Sequence, residues 1–408
     1  MLDGEDIVYI ATHPWRSLWR RRHQIMSRLA RRNRVLWVEP PLSLLTPLRK
    51  PPEWSNLWRR GTRQPQSNLF TLATINPLPL SRFGAVRRLN RAFRLRRLRE
   101  AMERLDFRDP ILWVHFNWAL EHFIGQVGEK LVCYDCFDKY TGFVDPSGGG
   151  HQAIQDWEKE VVQQAQVIFA TAPSLCHYLE EMQPSGFPLL VPNGVDVALF
   201  RQATGPNAPL PEDLRNIKRP VVGVAGSIGQ KIDLALLHHI AISCPQWSLV
   251  IIGPVEPEAD RRLIAALRSL PNVHFLGSKD FRLLPFYLGG IDVALVPFRQ
   301  DYEEVHYTMV PNRLWECLAA GRPAVSVPLE NISQYDGLVY VAQDGPGFVA
   351  AIQSALGEAE TGQEMVRRRQ AAVAEHDWDN RAEQMSAAIQ SALSGAKGGA
   401  AGARKRVL

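Results

Sequence analysis

Short, unbroken apolar runs recur along the whole chain, and each is followed by a turn and an amphipathic stretch. Residues 7–11, 35–38, 111–114, 131–134 and 167–170 set this rhythm, and residues 221–225, 248–252, 273–276, 293–296 and 324–327 repeat it. Runs that are apolar throughout, rather than alternating, read as strands buried on both faces. Strands that alternate with helices form parallel sheets covered by those helices. The spacing predicts helices over about 22–32, 81–105, 155–164 and 174–182, and again from Asp233 onward, with Ser174 as an N-cap. The Pro-rich residues 40–80 read as a long irregular loop.

The rhythm breaks at 201–218, a stretch rich in Pro, Asn and Gly, and then restarts. A chain of 408 residues is long enough for two domains. The expectation is therefore an α/β chain of two Rossmann-like, doubly wound parallel-sheet domains, residues 1–200 and 201–376. A helix over 377–393 follows. The Gly/Ala-rich, basic tail 394–408 is expected to be disordered.

Charge is unevenly spread. The net charge is +5, but residues 1–110 hold 23 Lys and Arg against 9 Asp and Glu. The clusters at 20–22, 31–32, 87–88 and 94–99 suit an anionic membrane surface or a solvated helix face. They lack the aromatic platforms of a nucleic-acid-binding module, so no nucleic-acid partner is expected. Five scattered cysteines fit a reducing compartment. Cys133 and Cys136 form a C-x-x-C, but they lie in an apolar strand and no second pair completes a zinc site. The chain shows neither a signal peptide nor an apolar stretch of roughly 20 residues, which gives a cytoplasmic expectation.

In open parallel sheets, ligands bind beyond the carboxyl ends of the strands. Two turns there are informative. The first runs from Gly223 through Gly226 and Gly229 to Lys231 and Asp233. Its glycines allow close backbone approach, the following helix N-terminus attracts anions, and Lys231 offers a point charge. Glycine turns also serve packing alone. The second is Pro311-Asn312-Arg313-Leu-Trp-Glu316, closed by Gly321-Arg-Pro323. Pro311 suits a first helical turn, whose amides can hold a pyrophosphate beside Arg313. Glu316, one turn on, can accept both hydrogen bonds of a ribose diol.

Together these segments resemble the group 1 (family 4-like) glycosyltransferases. Other matches, in order, are Val38-Glu-Pro-Pro41, Tyr134-Asp-Cys-Phe-Asp138, Val191-Pro-Asn-Gly-Val-Asp196 with Phe200, Ile251-Ile-Gly-Pro254, 271–277, Leu284-Pro285 and 292–298. The resemblance implies the GT-B fold with an interdomain cleft. It further implies a nucleotide-sugar donor bound as a substrate, transfer with retention, and neither an essential metal nor a cofactor. It places Glu316 at the ribose and Arg313 with the Pro311 turn near the diphosphate. The phosphate arginine common in the family's first strand is absent, which leaves Lys231, with Gly226 and Asn312, as further donor-binding candidates. Trp378 and Arg381 would open a final helix that crosses back to the first domain. A second glutamate common in the family is replaced by Thr308, with His306 and Tyr307 beside it.

On the acceptor side, His115 follows a strand at the place where related enzymes carry a histidine near the donor sugar, and Asp138 joins it as a catalytic candidate. His13 and Asp135 are secondary, and His23 and His151 read as solvated or structural. The acceptor class implied is a carbohydrate or a polyprenyl-linked sugar, with the enzyme peripheral on the inner membrane face. Two other readings stay open: a nucleotide-sugar-binding protein without transfer, and a GT-B nucleotide-sugar epimerase.

Overall fold

A computed structural model describes residues 2–43, 61–79, 83–144, 149–182, 187–205, 208–302, 305, 310–358 and 362–397. The expected tail from 398 onward lies outside them, as do His306, Tyr307 and Thr308. The chain divides into two compact units. One comprises Met1–Val191 with Ala382–Leu408, and the other Pro192–Arg381. The division thus falls at 191/192, where the composition break placed it at 200/201.

The first unit carries strands β1 (Asp6–Ile10), β2 (Arg34–Val38), β3 (Leu42–Ser43), β4 (Thr62–Gln66), β5 (Leu69–Leu72), β6 (Ile75–Asn76), β7 (Ile111–Val114), β8 (Leu131–Cys136), β9 (Val167–Ala170) and β10 (Leu189–Leu190). Eight of them form one sheet in the order β10-β9-β8-β7-β1-β2-β5-β4, parallel except for β4 on β5. Helices α1 (Arg21–Leu29), α2 (Gly84–Arg104), α3 (Gly149–Gln164) and α4 (Pro173–Met182) connect them. The central strands β1, β7 and β8 are buried at every position, as unbroken apolar runs require.

Two local expectations change. Part of the supposed irregular loop over 40–80 is sheet: β5 pairs in parallel with β2, Val35 opposite Leu69. Its four residues are too few to announce a strand amid Pro and polar neighbours, and Pro65 sits in the edge strand, where a missing N–H is tolerated. Pro173, rather than Ser174, opens α4, because proline is preorganised for a first turn.

The second unit carries β11 (Val221–Ala225), β12 (Ser248–Ile252), β13 (Val273–Gly277), β14 (Val293–Val296), β15 (Ala324–Ser326) and β16 (Val339–Val341). They form an all-parallel sheet in the order β13-β12-β11-β14-β15-β16. Its helices include α5 (Leu234–Ser243), α6 (Arg261–Arg268), α7 (Leu284–Gly290), α8 (Asn312–Ala319), α9 (Gly345–Gly357) and α10 (Gly362–Ala372). Asp233 caps α5 by accepting the Leu236 amide at 2.8 Å, as the sequence suggested. The last helix, α11 (Trp378–Lys397), begins in the second unit and ends in the first.

All five cysteines are free. Cys133 and Cys136 lie three apart on one strand, so they face opposite sides of the sheet and cannot pair. Among the described residues, no helix is long and apolar enough to cross a membrane, and no His, Cys, Asp and Glu gather as a metal site.

One backbone contact limits the second sheet's edge. Gly253, at φ +137°, follows β12, and a Cβ there would stand 2.0 Å from the Gly226 carbonyl oxygen. Gly253→Ala is expected to cost about 2–4 kcal/mol, from clash and positive-φ strain together. Thermal unfolding followed by circular dichroism should show a drop of roughly 5–15 °C in the midpoint.

Candidate functional site

The strand order of the second sheet reverses between β11 and β14, so the loops leaving their carboxyl ends diverge and open a crevice. Those two loops are stitched together. The Asp233 amide donates to the Pro297 carbonyl at 2.8 Å, and the Arg299 amide donates to that of Lys231 at 2.9 Å. Ile232 and Phe298 form a bridge between them. Lys231 is therefore fixed at the rim by its backbone.

Gly226 turns at φ +119°, with its amide donating to the Ile252 carbonyl at 2.8 Å. Its bare face lies against Arg313: a Cβ would stand 3.0 Å from Arg313 Nη2. That guanidinium donates to the Ser227 carbonyl at 3.4 Å and lies over the Phe298 ring at 5.0 Å. The glycine turn and the Pro311 motif, distant in sequence, thus meet at the switch point. Phe298, which supports the guanidinium, closes the matched segment 292–298 but was not singled out as a site residue.

Helix α8 presents its N-terminus here. Pro311 is the N-cap residue, at φ −72° and ψ 145°, and α8 starts at Asn312, one position later than the motif suggested. Among the described residues no side chain caps the helix, and the Leu314 amide donates to the Pro311 carbonyl at 2.9 Å. The positive dipole end of α8 is an anion-favouring feature. Asn312 Oδ1 is buried without a hydrogen-bond partner among the described residues. Glu316 is half-buried, and no hydrogen bond reaches its carboxylate among the described residues. Burial pushes its pKa up to about 7, while Arg313 pulls it down. Buried polar groups are ordinarily paired, so this helix end holds two acceptors, Asn312 Oδ1 and the Glu316 carboxylate, without protein partners among the described residues.

The opposite face of α8 is anchored. Trp315 Nε1 donates to the Tyr335 hydroxyl at 2.5 Å, and its ring stacks on His376 at 4.7 Å. His376 Nδ1 lies 2.7 Å from Arg381 Nη2, and Arg381 Nε donates to the Asn193 carbonyl at 3.1 Å. Trp378 packs on Gly194, where a Cβ would stand 2.9 Å from the indole. Trp378 and Arg381 therefore tie the Pro192-Asn-Gly-Val-Asp196 segment to the start of α11. Glu330, in the loop after β15, buries Oε2 without a partner among the described residues. No pattern in the sequence marked it.

The two catalytic candidates lie in the first unit, after the adjacent strands β7 and β8. His115 is buried. Its Nδ1 is 2.6 Å from Thr12 Oγ1 and 3.2 Å from the Phe116 carbonyl oxygen. A carbonyl only accepts, so Nδ1 carries the proton and Nε2 bears the lone pair; Nε2 has no partner among the described residues. Burial, with Arg22 next, holds the imidazole well below its usual pKa and keeps it neutral. Asp138 is half-buried and follows Phe137, whose ring lies 4.4 Å from that of His115. Asp135 is instead a structural ion, paired with buried Arg21 at 3.0 Å. His23 caps α1 by accepting the Arg20 amide at 3.1 Å and stacks on Trp19 and Trp37, so it is structural and unsolvated. His13 is pushed down to about 3 by burial and by Arg22, and His151 is a half-buried residue of α3.

Two Rossmann-like units of this kind constitute the GT-B fold. Solved structures share it over nearly the whole chain. Sucrose-phosphate synthase from Thermosynechococcus elongatus aligns with a TM-score of 0.69 at 16% identity, over 96% of this chain and 100% of that one. Anabaena HepE, in complex with UDP and glucose, aligns with a TM-score of 0.64 at 14% identity, over 94% and 99%. Residues 219–358 match the family model described as Glycosyl transferases group 1. The chain is also 29% identical over 249 residues to the Bacillus subtilis (strain 168) protein provisionally named teichuronic acid biosynthesis glycosyltransferase TuaH. That alignment covers 58% of this chain and 62% of the relative's length.

The raised pKa of Glu316 has a stability consequence. Below about 4.5 the folded and unfolded states both hold the proton. As the pH rises toward about 7, the unfolded chain releases it first, so this contribution to stability is lost across that window. Glu316→Gln removes the titration. Relative to wild type, the variant is expected to gain roughly 1–3 kcal/mol between about pH 4.5 and pH 7.5, measured by urea unfolding without ligand.

Proposed function

We propose that the protein is a glycosyltransferase that moves a sugar from a nucleotide-diphosphate donor to a carbohydrate or polyprenyl-linked acceptor of a cell-surface polysaccharide, with retention of configuration. The observation that carries this reading is Glu316, a protonatable carboxyl without hydrogen-bond partners among the described residues, one turn behind the N-terminus of α8, which no described side chain caps. A ribose diol donating two hydrogen bonds would compensate its burial, and the paired phosphates would take the leading amides of α8.

Breaking the bond between the anomeric carbon and the diphosphate builds negative charge on the leaving phosphate. The fixed amides of α8, the Arg313 guanidinium and Lys231 stabilise that charge without reorganising. His115, neutral and with Nε2 unpartnered among the described residues, would accept a hydrogen bond from a sugar hydroxyl. Asp138, in the loop after β8, is the second candidate. TuaH, named for teichuronic acid biosynthesis, supports the polysaccharide class of acceptor. The HepE structure in complex with UDP-glucose makes that sugar nucleotide the first donor to test. We place the enzyme in the cytoplasm, peripheral on the inner face of an anionic membrane.

A thermal-shift screen of nucleotide sugars should raise the melting temperature for the true donor. With that donor, Glu316→Ala is expected to weaken affinity roughly 10- to 100-fold in calorimetry, the cost of an unpaired diol. Unchanged affinity would remove Glu316 from the donor site. Transfer is tested by release of free nucleoside diphosphate together with a new glycosidic product. Binding without turnover would favour a non-catalytic sugar-nucleotide binder.

A further inference from the structure

The first three turns of α2 are inside out. Asn90 and Arg94 are 1% and 4% exposed, whereas Leu89 and Phe93 are 60% and 36% exposed. The buried polar pair is satisfied within the unit. Asn90 exchanges two hydrogen bonds with the Leu78 backbone, at 2.9 and 3.0 Å, and Arg94 forks onto Glu121, with Nε to Oε2 at 2.9 Å. On the outer side, Val86, Leu89 and Phe93 fall at positions i, i+3 and i+7, so they share one helix face. Leu78 and Phe83, both exposed, extend the apolar area at the start of the helix.

The charge around this stripe has one sign. Between residues 84 and 99 there are seven arginines and no carboxylate. Arg87, Arg88 and Arg96 are exposed, and Arg87 and Arg88 have no acidic partner among the described residues. Glu100, the first acid, already binds Arg96 at 2.9 Å and Arg97 at 3.0 Å. Much of the remaining N-terminal positive charge is turned inward: Arg21 onto Asp135, Arg28 onto Gln24, Arg34 onto Asp6. Among the described residues, α2 therefore carries a surface cluster of exposed arginines, in addition to those at Arg16, Arg20, Arg31 and Arg32.

We propose that the Leu89–Phe93 face of α2 docks the protein on an anionic lipid bilayer. The apolar side chains enter the boundary between headgroups and acyl chains, and Arg87, Arg88 and Arg96 bind lipid phosphates. A stripe of exposed Leu and Phe within an arginine field matches that interface in both chemistry and charge. The inference rests on the membrane location proposed above and is independent of the donor chemistry.

The test uses the full-length protein in co-sedimentation with two kinds of vesicle: pure phosphatidylcholine, and phosphatidylcholine with one part in three phosphatidylglycerol. Wild type should partition onto the anionic vesicles, more weakly as salt rises, and little onto the neutral ones. Leu89→Asp with Phe93→Asp should lower anionic partitioning at least about tenfold. Arg87→Glu with Arg88→Glu should lower it at least about 25-fold, from roughly fivefold for each arginine. Circular dichroism and nucleotide-sugar affinity should stay at wild-type values in both variants. Wild-type partitioning by the aspartate variant would overturn the insertion, and by the glutamate variant the charge contact. Failure of wild type itself to bind vesicles would overturn the membrane location. So would self-association in sedimentation equilibrium that the aspartate variant abolishes, which would mark the stripe as a contact between copies. Either result leaves the donor titration to judge the transferase reading separately.

Discussion

The backbone approach of Gly253 to Gly226 is the constraint on which the second unit's ligand edge depends. A side chain at 253 would collide with the Gly226 carbonyl. One at 226 would press on Arg313 while holding a positive φ that side chains resist. With both positions bare, β11 and β12 end flush, and the turn after β11 leaves a flat backbone surface. Arg313 lies on that surface, over Phe298, so the position of α8 follows from it. Glu316 and the leading amides of α8 inherit their places from a contact made by two residues with no side chain.

Polar groups elsewhere in the interior show what a satisfied site looks like. Glu158 is buried, yet it accepts the hydroxyls of Tyr134 at 2.5 Å and Tyr178 at 2.7 Å, which offsets part of its desolvation. Asp135 is matched by the fork of Arg21, and Glu121 by that of Arg94. Such pairs cost little net stability when complete and a great deal when halved. Glu316 differs in kind: burial raises its pKa, and only the Arg313 charge opposes it. A carboxyl in that condition takes up a proton near neutral pH, and no protein donor meets it among the described residues.

The amount of structure legible in the sequence followed from how each signal arises. Strands buried on both faces are mostly apolar, so β7, β11 and β12 were readable residue by residue, whereas β1 starts one residue earlier, at Asp6, and β8 continues through buried Asp135 to Cys136. The Pro311–Glu316 segment was readable as a helix start, because Pro fits a first turn, although the same residues also suit an ordinary helix with a surface glutamate. The fate of the basic N-terminal stretch was not readable. Composition counts Arg21, Arg28 and Arg94 equally with Arg87 and Arg88, and only the fold shows that the first three are buried. β5 was hidden for a related reason: four residues become a strand only when β2 supplies an edge beside them. Phe298, Glu330 and the His376 stack on Trp315 depend on contacts across long sequence separations, which no local pattern records.

His115 shows how far geometry sharpens a position that the sequence could only nominate. Its Nδ1 lies between a hydroxyl and a carbonyl oxygen, and Thr12 also donates to that carbonyl, so the hydroxyl is committed as an acceptor toward the ring. The proton therefore sits on Nδ1, and the lone pair on Nε2 is fixed in direction. Burial and the charge of Arg22 oppose a second proton. A histidinium there would repel cations and donate from both nitrogens, whereas the neutral ring can only accept at Nε2. The hydrogen bond this position can give a ligand is thus acceptance from a hydroxyl, the group in which a sugar is richest.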